Sequence, residues 1–96
     1  MTSSPSILQL DDVLDLAAAA PLAAQLAKRR GQPLTLDASK VRRLGGLCLQ
    51  VLLAARAERE AADDRLDVAT PSEAFTLALA HFGVPTLATG FRSHRP

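Results

Sequence analysis

Residues 34–56 read LTLDASKVRRLGGLCLQVLLAAR, and three kinds of patterning succeed one another in that stretch. Leu34 to Asp37, with Pro33 ahead of them, form a run too short and too evenly apolar for a half-exposed hairpin strand, which predicts a buried strand. A mostly polar turn follows, carrying Ser39, Lys40, Arg42 and Arg43. From about Gly46 the apolar residues fall at helical spacing, through Val51 and Ala55, to a charged last turn at Arg59, Glu60 and Asp63. The first two turns of that helix are apolar on nearly every side, and the last two are polar on most. At the junction Gly45 and Gly46 are read as letting the backbone turn sharply from loop into helix.

Working outward, SILQLDD suggests a strand around Ile7, Leu8 and Leu10. Leu22 and Leu26, with Ala23 and Ala27 alongside, have the spacing of a helix with one buried stripe. Pro21 suits its first turn, where a missing N–H costs nothing, and Lys28, Arg29, Arg30 and Gly31 mark its end. On the other side RLDVATP supplies a short strand with Leu66 and Val68 on one face. Thr70 and Glu73 have the T-x-x-E spacing of a capping box, with Pro71 at the first helical position. Phe75, Leu79 and Phe82 form the apolar stripe of that last helix, and Gly83, Val84 and Pro85 end it with a glycine cap. Strand and helix thus alternate three times, which predicts an α/β fold, a small and mostly parallel sheet covered by helices. The domain is expected over residues 6–85, after a frayed N-terminus at 1–5 and before a loose tail at 86–96.

Composition narrows the function classes. A chain of 96 residues holds one core, and with 48% hydrophobic but only 3% aromatic residues that core is built from Ala, Leu and Val. Eleven basic residues against ten acidic ones give a net charge of +1, which disfavours nucleic acid as a partner. A single cysteine and no apolar segment near Met1 point to a reducing cytoplasm, and no run is long enough for membrane insertion. Catalytic groups are not assembled: His81 and His94 lie far in sequence from Cys48, which sits between Leu47 and Leu49 as a small core residue would. One Cys and two separated His offer no zinc spacing, and no cofactor is expected. The RRLGGLC segment lacks the spacing of a phosphate-binding loop, although free N–H groups at the helix start leave a nucleotide or small-ligand site as a further alternative. Arg42 and Arg43 form a small positive patch suited to an acidic partner surface. Leu47 or Leu49, if exposed, would make a contact surface, and burial between the sheet and a neighbouring helix is the competing reading.

These segments resemble the STAS domain family, the fold of bacterial anti-sigma factor antagonists. In that family a strand ends in Asp-x-Ser-x-Val, a short loop carries Asp-Ser-Ser-Gly or a related motif, and a Leu-rich helix begins there. A later strand ends in an Asn-Pro-Ser-like turn before a helix closing on a Leu/Phe-Gly pair. Asp37, Ser39 and Val41 match the first element, Pro71 and Ser72 the later turn, and Phe82 with Gly83 the closing pair, so the resemblance spans roughly Ile7 to Pro85. It departs at the modification site: Gly45 stands where the family has Asp, Gly46 at the first Ser or Thr, Leu47 at the phosphoacceptor Ser and Cys48 at the Gly. The acceptor hydroxyl is absent, and Ser39 is read as capping its turn rather than as a replacement acceptor. The resemblance implies a non-enzymatic interaction module that docks a protein partner through the loop and helix start at 44–49. Asp37, Ser39, Arg42, Arg43, Leu44, Gly45, Gly46, Leu47 and Leu49 are the candidate contact residues. Three partners are compatible with it: an anti-sigma factor, a kinase of a signalling system including chemotaxis, or a transporter ATPase. The last is suggested by a lipid-transporter subunit of the family that has the same Gly-Gly-Leu.

Overall fold

The protein is described by a computed structural model covering residues 6–84. The expected frayed segment at 1–5, the tail at 86–96, His94 and Pro85 lie outside the described residues. The element order is β1 (Ser6–Gln9), β2 (Val13–Leu14), α1 (Leu16–Lys28), β3 (Leu34–Asp37), β4 (Arg43–Leu44), α2 (Gly46–Ala61), β5 (Leu66–Ala69) and α3 (Glu73–His81). Strands β1, β3 and β5 form a three-stranded parallel sheet with β3 in the centre, as the alternation of strand and helix predicts. The register sets Ser6 beside Leu34 and Leu66, and Leu8 beside Leu36 and Val68. Side chains alternate across a strand, so Leu8, Leu34, Leu36, Leu66 and Val68 share one face. That face meets Leu22 and Leu26 of α1, Leu49 and Leu52 of α2, and Phe75 and Leu79 of α3 in a single core.

The opposite face carries Ile7, Gln9, Thr35, Asp37, Asp67 and Ala69. Ile7 is exposed and Thr35 and Asp37 are half-buried, so the central strand is buried on one face rather than on both. The expectation from LTLD holds for Leu34 and Leu36 and fails for Thr35 and Asp37.

Three local features differ from the sequence expectations, each for a physical reason. Helix α1 begins at Leu16, five residues before Pro21, because the Asp15 carboxylate accepts a hydrogen bond from the Ala18 N–H and caps the helix there. Pro21 is therefore interior. Helix α3 is capped by Ser72 instead of Thr70: the Ser72 hydroxyl accepts from the Phe75 N–H at 3.0 Å and donates to the Val41 carbonyl. Thr70 adopts φ 51°, a left-handed conformation rare for a β-branched residue, and so stands outside the helix with Pro71. The glycine cap of α3 is as expected, with Gly83 at φ 81° and the Val84 N–H donating to the Leu79 carbonyl. Finally, a second parallel ladder joins β2 to β4, which no periodicity in two-residue strands could announce. The Arg42 and Arg43 N–H groups both donate to the Asp12 carbonyl, and the Gly45 N–H donates to the Leu14 carbonyl at 2.8 Å.

Candidate docking site at the start of the second helix

That small ladder builds the site. By joining the segment after β1 to the segment before α2, it sets the first turns of α1 and α2 side by side at one end of the sheet. Gly45 lies between them. A methyl group there would come within 3.3 Å of the Leu14 carbonyl oxygen and 3.9 Å of the Asp15 Cα. Its backbone, at φ −88° and ψ 166°, is ordinary extended chain, so close approach and not a sharp turn accounts for this glycine. A methyl on Gly46 would meet the Phe82 ring at 3.9 Å, which places the end of α3 on the other flank.

The side chain of Leu47 emerges from this junction 48% exposed. Phe82, expected in the stripe of α3, is 43% exposed beside Gly46, and Leu16 at the start of α1 is 76% exposed. Leu44 and Leu49 do not join them: at 6% and 5% exposure they belong to the core and support the rim from beneath. The reason is geometric, since a helix packed on a sheet turns one residue in three or four inward. Leu16 and Phe82 were missed as surface residues because a helix's first position and its C-cap fall outside the reach of periodicity.

The polar candidates divide. Arg42 and Arg43 are exposed at the rim, and Arg42 reaches the Asp12 carboxylate at 3.3 Å. Asp37 and Ser39 sit at the end of β3 and cap each other's turn: the Ser39 N–H donates to Asp37 Oδ1 at 3.0 Å. Hydrogen bonds from the Ser39 backbone and hydroxyl hold the Asp37 carboxyl below its usual value, with smaller help from Gln9 and Lys40. Asp37 also lies on the sheet face away from the helices, so its part at the rim is to shape the loop that carries Arg42 and Arg43.

Cys48 is completely buried, and its thiol donates to the Asp15 carbonyl at 3.2 Å, fastening α2 to the start of α1. Burial, with the nearby Asp15 carboxylate, raises the thiol's pKa, which keeps it protonated and unreactive. His81 is exposed at the end of α3, edge-on to Phe82 with ring centroids 5.7 Å apart.

Among the described residues no helix is long and apolar enough to cross a membrane. No curated protein and no solved structure matches the chain. The family described as Mlab, STAS domain matches residues 1–89, and with the parallel sheet and three helices in place the chain belongs to the STAS domain family.

Proposed function

We propose that the chain is a non-enzymatic interaction module that captures a protein partner through the rim formed by Leu47, Leu16 and Phe82. Membership of a STAS family supports a regulatory or interaction role. The observation that carries the specific reading is the exposed Leu47 at the first turn of α2, at the position where the resemblance puts a phosphoacceptor serine. An apolar side chain exposed in the first turn of a helix costs solvation in the free protein and returns it on burial. Phosphorylation at this position would add about −1.5 to −2 charges to a contact surface. With leucine there, capture is constitutive at this spot.

The primary reading is a partner in a signalling system, an anti-sigma factor or a kinase. The second is a transporter ATPase, favoured by Gly45-Gly46-Leu47, the feature shared with the transporter subunit of the family. A photo-crosslinking residue placed at 47 and, separately, at Ala57 on the exposed side of α2 tests both. Trapping of one defined protein from 47 and not from 57 is expected, and its identity selects between the readings. Leu47→Asp is expected to reduce capture at least about tenfold with an unchanged melting temperature, since surface substitutions cost within about 0.5 kcal/mol. Equal capture by Leu47→Asp and by the parent protein would sink the proposed surface.

A further inference from the structure

We infer that the same rim is self-complementary and that, without its partner, a second copy of this chain covers it. The inference rests on the docking surface proposed above and concerns its other occupant. Leu16, Leu47 and Phe82 supply an apolar centre. Two charged edges border it, one negative at Asp11 and Asp12 ahead of β2 and one positive at Arg42 and Arg43 at the entry to β4. These edges run side by side, because the Arg42 and Arg43 N–H groups share the Asp12 carbonyl. Asp12 and Arg42 pair within the chain at 3.3 Å. Asp11 and Arg43 are both exposed, and neither forms an ion pair among the described residues.

A rim of one sign would repel its own copy. Here a two-fold axis through the apolar centre brings the negative edge of one copy onto the positive edge of the other, which is the condition for an isologous interface. Leucine and phenylalanine then meet their counterparts, and Asp11 faces Arg43 twice. Because the dimer and the partner complex bury the same surface, each excludes the other, and the dimer acts as a reservoir that partner binding draws down.

Sedimentation velocity of the full chain tests this. A reversible dimer is expected, weakening as salt rises from about 50 mM to about 500 mM. Asp11→Arg and Arg43→Asp are each expected to weaken self-association at least about tenfold. An equimolar mixture of the two variants restores it, because both cross-pairs are then of opposite sign. The double variant Asp11→Arg/Arg43→Asp, which keeps the net charge, also restores it. A chain that stays monomeric at every concentration, or variants that do not rescue each other, would overturn the inference. Crosslinking from position 47 to a foreign protein would still stand in that case, whereas loss of both results removes the surface altogether.

Discussion

An alanine at position 45 sets a methyl group 3.3 Å from the Leu14 carbonyl oxygen, an atom already fixed by the hydrogen bond it accepts from Gly45 itself. One at position 46 meets only the Phe82 ring, at an ordinary 3.9 Å. Gly45→Ala is therefore expected to destabilise the protein by about 1–3 kcal/mol through overpacking. Gly46→Ala is expected to stabilise it by about 0.4–1 kcal/mol by reducing the freedom of the unfolded chain. Urea denaturation of both variants separates the two roles, and equal midpoints would refute the assignment. Nothing in the letters GG distinguishes these positions. Cys48, by contrast, was legible as a core residue, because a small thiol flanked by leucines in an apolar helical run has no polar neighbour to activate it.

At the level of elements, the ends of helices were harder to read than their middles. The apolar stripes of α2 and α3 follow from spacing in part: Ala55, Phe75 and Leu79 are buried as that spacing requires, whereas Val51 is half-buried and Phe82 is exposed. The start of α1 was not legible from Pro21, since Ala17 to Ala20 carry no periodicity and the true signal was Asp15. The end of α2 holds a different feature. Asp63 sits at φ 61° just past the last turn, its N–H donating to the Glu60 carbonyl while the Asp64 N–H donates to the Arg59 carbonyl. This is the closing position that glycine fills most cheaply. Asp63→Gly is expected to raise stability by about 0.5–1 kcal/mol, read as a shift of the denaturation midpoint at constant slope. A lowered midpoint would mean that the aspartate side chain holds the turn.

Across the whole molecule the two long helices are joined at both ends, by Cys48 and Asp15 at the proposed docking rim and by Arg59 at the other end. Arg59 was expected in the exposed, charged last turn of α2, yet it is 2% exposed and its Nη2 donates to the Arg29 carbonyl at 2.7 Å. Arg29 caps α1 and in turn donates from Nε to the Ser6 hydroxyl of β1. Burial pulls the Arg59 guanidinium below its ordinary pKa, while Asp64 and Glu58 oppose that shift by attraction. Arg59→Ala is expected to cost about 2 kcal/mol or more, combining a lost charged hydrogen bond with lost packing of the stem. Arg59→Met, which keeps the stem, is expected to cost less, and thermal melts compare the two. By itself the sequence determined the order of the main strands and helices and most of their buried positions, because burial periodicity is local and written in neighbouring residues, while the family followed from the resemblance of its motifs. Only the tertiary structure decided which leucine at the start of α2 faces water, why Gly45 is a glycine and that Arg59 is buried. Each of those depends on what a distant segment places against the residue: the core that covers Leu49 and leaves Leu47 out, the Leu14 carbonyl beside Gly45 and the end of α1 at Arg59.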